Sequence, residues 1–128
     1  MKKSQMAIEF VMLVGIAILI ATLVVIAIYD MNKDRNTEKI DMKMKDFGYS
    51  IQNEIILASE MNEGYTRNVT LPDKVEYTDY NVSIYSNRLL AINYTGRILY
   101  YKIPQTNGTI VKGENMLYNY EGSVYIKQ

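Results

Sequence analysis

The feature that most constrains this chain is an uncharged apolar run from residue 10 to residue 28, FVMLVGIAILIATLVVIAI. Among its nineteen residues, only Gly15 and Thr22 depart from a strongly apolar character. A helix of this length measures about 28 Å, which matches the hydrocarbon core of a bilayer. Because backbone groups in hydrocarbon must hydrogen-bond to one another, the run predicts a membrane-spanning helix.

The residues after the run bear on whether it is removed during secretion. A conventional secretory signal has a shorter apolar core, followed by small residues at a cleavage site. Here Tyr29, Asp30 and Met31 follow the run. We therefore expect the apolar segment to stay in the mature protein. Its simplest interpretation is a signal anchor, one span that holds an outer domain.

Composition excludes several classes of function. The 128 residues carry 14 basic and 14 acidic side chains, so the net charge of zero predicts no nucleic-acid partner. Cysteine and histidine are both absent, which excludes disulfides, cysteine lipidation, the usual zinc sites and catalysis by His or Cys. We also find no paired carboxylates and no glycine-rich phosphate loop. The sequence therefore predicts no catalytic residue, no cofactor and no metal, and an enzyme is not expected.

The residues that enter the apolar run form a recognisable pattern. The stretch QMAIEFVML, from Gln5 to Leu13, resembles the Q-x-S-x-E-x-x-x-L motif of archaeal type IV pilin-like proteins with class III signal peptides. Its acidic position is Glu9, at the edge of the run. The chain departs from the family pattern at two positions: Ala7 stands where Ser is usual, and Ser4 where Gly usually precedes the cleaved bond.

The resemblance implies a processing step and a set of partners. A prepilin peptidase is expected to cut between Ser4 and Gln5, which removes residues 1–4 as a leader. Glu9 then becomes the fifth residue of the mature chain. The other implied partners are further pilin subunits and an assembly ATPase with its membrane platform protein. The expected locations are the cell membrane for the single-pass precursor and the extracellular surface for the filament.

A mechanism of assembly follows as a hypothesis. Cleavage leaves a cationic amine on Gln5, and Glu9 of a neighbouring subunit can neutralise it inside a bundle of apolar helices. Leu13 completes the motif on the apolar side. Ala17 and Ala21 are small residues spaced by four, which suits close helix packing, although alanine is also simply tolerated in membrane helices. Both interpretations of the alanines remain open.

The orientation in the membrane does not follow from charge. Two lysines precede the span, whereas five basic residues follow it: Lys33, Arg35, Lys39, Lys43 and Lys45. A count of Lys and Arg alone therefore places the amino terminus outside. We instead predict an extracellular carboxyl-terminal domain, because of the motif resemblance and of the glycosylation sequons described below.

Residues 30–63 are predicted to continue the helix that begins with the span over residues 5–29. Six apolar residues recur at steps of three and four and so share one face: Ile40, Met44, Phe47, Ile51, Ile55 and Ala58. We interpret this face as packed on a sheet, and an amphipathic helix on the membrane surface is the alternative. The segment Asn62–Gly64 is a typical helix end. Gly15 and Gly48 are the predicted weak points of the helix.

After Gly64 the apolar residues alternate with a period of two, which predicts a β-sheet head over residues 64–128. We expect strands near 69–71, 74–77, 80–85, 89–94, 97–103, 109–111, 115–119 and 123–127. Tight turns are expected at Ser86–Arg88, Thr95–Gly96, Asn107–Gly108 and Glu121–Gly122. The predicted fold class is α+β: a long amino-terminal helix packed on a small, mainly antiparallel sheet, as in pilins.

Four Asn-x-Ser/Thr sequons occur in the head and none in the helix: Asn68, Asn81, Asn93 and Asn107. Each is a candidate N-glycan acceptor if the head is extracellular. An Asn-rich chain also produces such triplets by chance. We expect at least one of the four to be modified.

Two functions from different classes are consistent with these observations. The first is a structural subunit, major or minor, of an archaeal type IV pilus-like surface filament that adheres to other surfaces. The alternative is a single-span membrane-anchored ectodomain that does not polymerise and acts as a binding module or as part of a membrane complex. The mass of the mature amino terminus distinguishes them.

Overall fold

The computed structural model describes all residues from 1 to 128 and contains one helix followed by nine strands. The elements are α1 (Lys2–Glu60), β1 (Thr66–Leu71), β2 (Lys74–Val75), β3 (Thr78–Asp79), β4 (Asn81–Tyr85), β5 (Leu89–Tyr94), β6 (Arg97–Lys102), β7 (Thr106–Asn107), β8 (Gly113–Tyr120) and β9 (Ser123–Lys127). The chain forms two compact units, Met1–Lys39 and Ile40–Gln128. The predicted α+β fold class is confirmed.

Helix α1 is continuous because nothing in its sequence interrupts it. The first proline of the chain is Pro72, beyond the end of the helix. Neither Gly15 nor Gly48 breaks the helix. The helix ends at Glu60, three residues before the predicted boundary at residue 63.

The carboxyl-terminal part of α1 packs on the sheets through the predicted face. Met44, Ile51, Ile55 and Ala58 are buried, together with Gly48, which the apolar pattern did not include. Ile40 and Phe47, the other two residues of the predicted face, are partly buried and pack against the hydrophobic core. Because the head covers this face, the alternative of a membrane-surface helix over residues 40–58 is wrong. The core on the sheet side consists mainly of Leu71, Leu90, Ile92, Leu117 and Val124.

The strands form three sheets, in the orders β1-β8-β9-β7, β2-β3 and β4-β5-β6. Strands β4–β6 form a meander, and the pairing is antiparallel as predicted except for β7 with β9, which is parallel. The tight turns at residues 86–87, 95–96 and 121–122 are confirmed, with positive φ at both central residues of each. The predicted strand over 74–77 is instead the hairpin β2–β3.

The region after β7 differs from the prediction. Residues 109–111 are not a strand, and Asn107–Gly108 is not a hairpin turn, because Asn107 lies in β7 and pairs in parallel with Tyr125 of β9. The buried amide of Asn115 replaces strand pairing here. Its Nδ2 donates to the carbonyl of Val111 at 2.7 Å, and its Oδ1 accepts from the Val111 N–H at 3.0 Å. These backbone groups are therefore satisfied by a side chain instead of by a neighbouring strand.

Two tyrosines of the meander hold it against α1. The Tyr94 hydroxyl donates to Asp41 Oδ1 at 3.0 Å, and Arg97 forms an ion pair with the same carboxylate. The Tyr101 hydroxyl donates to the carbonyl of Lys45 at 3.2 Å. Burial is the main cause that raises the pKa of both tyrosines. The meander is thus attached to the helix by polar contacts at the edge of the apolar core.

A buried side chain of β8 terminates the helix. Asn119 is 3% exposed, and its Nδ2 donates to the carbonyl of Ser59 at 3.1 Å and to that of Met61 at 2.8 Å. Its Oδ1 accepts from the N–H of Gly122 at 3.1 Å. The last carbonyls of a helix have no partner within the helix, so this amide supplies one to Ser59 in the last turn and also binds Met61 directly after it. Asn119 therefore fixes the end of α1 and the β8–β9 turn together.

Candidate assembly helix and modification sites

The apolar run is exposed along its whole length within the unit Met1–Lys39. Large side chains such as Phe10, Leu19 and Val25 are between 60% and 68% exposed. A protein in water rarely exposes contiguous apolar surface of this extent. By its length and composition α1 can cross a membrane. This surface has to be covered, either by lipid or by another apolar surface.

The interior of the run presents no unsatisfied polar group. Thr22 is its one side chain with a hydrogen-bonding group, and its Oγ1 donates to the carbonyl of Ile18 at 2.8 Å. The hydroxyl is therefore satisfied within the helix and does not oppose transfer into hydrocarbon. At Gly15, a Cβ atom would meet nothing within 4 Å. Glycine here leaves the helix regular and adds no contact of its own.

The motif residues and the two alanines form one exposed stripe on α1, which we call the assembly stripe. Its members follow at steps of four residues: Gln5, Glu9, Leu13, Ala17 and Ala21. Each step turns about 40° around the helix, so the stripe winds slowly over about 24 Å. All five residues are exposed. The helix thus places the one carboxylate of the stripe directly before a line of apolar and small side chains, while the individual roles of the five residues remain predictions.

The predicted cleavage position lies in the first turn of α1. The Gln5 N–H donates to the Met1 carbonyl at 3.4 Å, and Ser4 Oγ donates to the same carbonyl at 3.1 Å. The first N–H groups of a helix have no partner within it, so this turn is held by few hydrogen bonds. Both Ser4 and Gln5 are exposed. A peptidase needs to unwind only this turn to reach the bond.

The four sequons differ in accessibility. Asn68 lies exposed on β1, which is an edge strand of its sheet. Asn107 is half-buried in β7, and its Oδ1 accepts a hydrogen bond from Asn87 Nδ2 at 3.1 Å. A glycan on Asn107 would have to displace this contact. The structure therefore favours Asn68 over Asn107 as an acceptor.

The other two sequons form a pair that the sequence analysis missed. Asn81 of β4 lies directly opposite Asn93 of β5, and both are exposed. Side chains of directly opposed residues have Cβ atoms only about 5 Å apart. Two glycans on adjacent positions of one sheet face would crowd each other. The β4–β5 turn was predicted correctly, and residues paired outward from it place Asn81 opposite Asn93, so the sequence already contained the signal for this pair.

In comparisons with protein-family models, with curated proteins and with solved structures, no match to this chain was found. The case for a function therefore depends on the residues themselves. These are the motif from Gln5 to Leu13, the exposed apolar run that follows it and the head that packs on the later part of the same helix.

Proposed function

We propose that this protein is a structural subunit of an archaeal type IV pilus-like surface filament. The observation that carries the proposal is the exposed apolar segment of α1, entered through Gln5 and Glu9 and followed by a β-sheet head. The apolar surface of α1 then has two successive environments. It is covered by lipid in the precursor and by other subunits in the filament.

Exchange of lipid for other subunits changes the driving force for association. Lipid tails are as apolar as the side chains of the run, so the transfer gains little hydrophobic free energy. Close packing and specific polar contacts must supply the difference. Ala17 and Ala21 provide positions where two backbones can approach closely. The amino-terminal end of the assembly stripe provides the polar contact.

Glu9 supplies that contact once the chain begins at Gln5. A carboxylate drawn into an apolar environment costs about 3 kcal/mol or more when it has no partner. The new α-amine of a neighbouring subunit is a partner of opposite charge that is itself poorly solvated at the tip of an apolar helix. Misaligned subunits leave both charges uncompensated. The pair therefore selects one register and depends on prior cleavage by the prepilin peptidase.

The remaining partners act on the same segment. The prepilin peptidase must recognise the first turn of α1, and the assembly ATPase with its platform protein must move the helix out of the membrane. Other pilin subunits then replace the lipid around it. The unit Ile40–Gln128, which contains the head and the part of α1 packed on it, is held together by its own core and can be carried through these steps as a folded unit.

The test is the substitution Glu9→Gln, with Glu63→Gln as a matched control in an exposed position after the helix. We expect both variants to insert into the membrane at the wild-type level. Filaments sheared from cells should contain the Glu63→Gln variant and lack the Glu9→Gln variant. Normal filaments from Glu9→Gln would refute the role of the carboxylate. Wild-type protein that is never found in sheared material would favour the alternative, a membrane-anchored ectodomain that does not polymerise.

A further inference from the structure

Charged side chains on the part of α1 that follows the apolar run form two stripes. The acidic stripe has members four residues apart: Asp30, Asp34 and Glu38. The basic stripe has the same spacing: Arg35, Lys39 and Lys43. All six side chains are exposed. Because five residues correspond to a rotation of about 140°, the two stripes lie on different sides of the helix.

Within one chain this arrangement is unfavourable. Residues four apart are neighbours on a helix, and every charged pair at that spacing between residues 30 and 43 joins like charges. Two oppositely charged pairs three residues apart, Asp30 with Lys33 and Arg35 with Glu38, offset only part of the repulsion. A helix stabilised by its own ion pairs would instead alternate the sign along each face. The pattern is better suited to contact with a second surface of complementary charge.

We propose that the acidic stripe of one copy contacts the basic stripe of a second, parallel copy that is displaced by five residues along the axis. This inference rests on the proposed filament function. A displacement of five residues is about 7.5 Å, and it places Asp30 level with Arg35 and Glu38 level with Lys43. Asp34 then lies level with Lys39, which also has an interaction within its own chain. We therefore assign the intermolecular ion pairs to Arg35 and Lys43.

The register follows from the spacing of the charges. A displacement of one residue aligns Asp34 with Arg35 but leaves Lys43 without an acidic partner, and a displacement of nine residues aligns Asp34 with Lys43 but leaves Arg35 without one. Only the displacement of five residues satisfies both bases at once. Opposite charges that match over several positions favour one register and oppose the others.

The contact also determines the type of assembly. Two different faces meet, so the interface is heterologous, and each copy can contact one neighbour through its acids and another through its bases. Because successive copies are displaced along the axis, the series cannot close into a ring and continues as a helical filament. The motif agrees with this displacement. A shift of four residues in the same direction, about 6 Å, brings Glu9 of the displaced copy level with the Gln5 amine of the other.

The test is a charge exchange at one pair. Each of Glu38→Lys, Lys43→Glu and the double variant is produced in place of the wild-type protein, in cells whose wild-type protein forms filaments. Within one chain, Glu38→Lys loses attraction to Arg35 but gains attraction to Asp34, so the helix itself changes little. We expect about tenfold less sheared filament from each single variant, since each replaces attraction by repulsion at two contacts per subunit. The double variant should restore the wild-type amount. Residues five apart cannot pair within one helix, so this recovery has to be intermolecular.

A matched control separates charge position from net charge. Lys33 lies off both stripes, and the combination of Lys33→Glu with Glu38→Lys restores a net charge of zero. We expect this combination to remain as poor in filaments as Glu38→Lys alone. Wild-type filament yield from either single variant, or recovery by Lys33→Glu, would overturn the stripe contact and leave the filament function standing. Absence of filaments from the wild-type protein would overturn both.

Discussion

Replacement of Gly48 by alanine tests the packing of the head on α1. A Cβ atom at this position would lie 2.3 Å from both Cε2 and Cζ of Tyr101 and 2.5 Å from its hydroxyl oxygen. Tyr101 is 7% exposed, and its hydroxyl donates to the Lys45 carbonyl at 3.2 Å. The ring therefore has to move by about 1 Å to restore an ordinary contact distance, and the movement disturbs both the core and this hydrogen bond.

Two opposing effects set the magnitude. Alanine in place of glycine favours an exposed helix by about 1 kcal/mol. Forced rearrangement of a packed core costs about 1–3 kcal/mol, and the weakened hydrogen bond costs about 1 kcal/mol more. The expected result is a net destabilisation of about 2 kcal/mol, which lowers the melting temperature of a domain of this size by roughly 10 °C.

The assay is thermal unfolding of the full chain in detergent micelles, followed by the near-ultraviolet circular dichroism of the tyrosines. The control is the same substitution in a Tyr101→Leu background, where the obstructing ring is absent. There Gly48→Ala should stabilise the head by up to about 1 kcal/mol. Stabilisation by Gly48→Ala with Tyr101 intact would refute the reasoning.

Three further predictions concern the head. Asn119→Ala removes the donor to the carbonyls of Ser59 and Met61 at the end of α1 and should lower the free energy of unfolding by about 2 kcal/mol in denaturant titrations. The control Asn68→Ala, at an exposed position, should change the free energy of unfolding by less than about 0.5 kcal/mol. Equal effects of the two substitutions would contradict the role of Asn119. Burial raises the pKa of Tyr80 from 10.0 to about 12, so its contribution to stability is complete below pH 10 and lost between pH 10 and 12. Tyr80→Phe should reduce the fall in the free energy of unfolding between pH 10 and 12. An unchanged fall would exclude ionisation of Tyr80 as its cause. Mass spectrometry of native protein should find a glycan on Asn68 and none on Asn107, and the reverse pattern would show that accessibility does not decide occupancy.

The helix and its packed face could be predicted because both depend on local sequence. Residues 2–60 contain no proline, and the recurrence at three and four residues selects positions such as Ile51 and Ile55, which the structure buries. The three hairpin turns were also accessible, since residues that tolerate positive φ stand between alternating strands. These features need no knowledge of which distant segments meet.

The contacts that depend on tertiary register could not be predicted. Gly48 resembles a weak point in sequence, and only the position of Tyr101 shows that it provides space for a ring. Asn115 and Asn119 are two asparagines among many in the head, and nothing nearby in sequence marks them as buried caps. The parallel pairing of β7 with β9 was not predicted for the same reason. In sequence, a loop closed by a side chain resembles the hairpin turn that was predicted at Asn107–Gly108.

In the candidate site too, some features could be predicted from the sequence and others required the structure. The sequence supplies the motif and the apolar run, while the structure adds that both belong to one continuous helix and that the run is exposed. The pairing of Asn81 with Asn93 required the strand register. The intervals of four residues within the acidic and the basic stripes can be seen in the sequence. They define stripes only because residues 30–43 lie in a single helix.

The most direct measurement is the mass of the amino terminus of the protein recovered from sheared cell-surface material. A filament subunit processed as we propose begins at Gln5, with residues 1–4 absent, and is found in the sheared fraction. Protein that begins at Met1 or Lys2 and stays entirely in the membrane fraction would contradict the proposal.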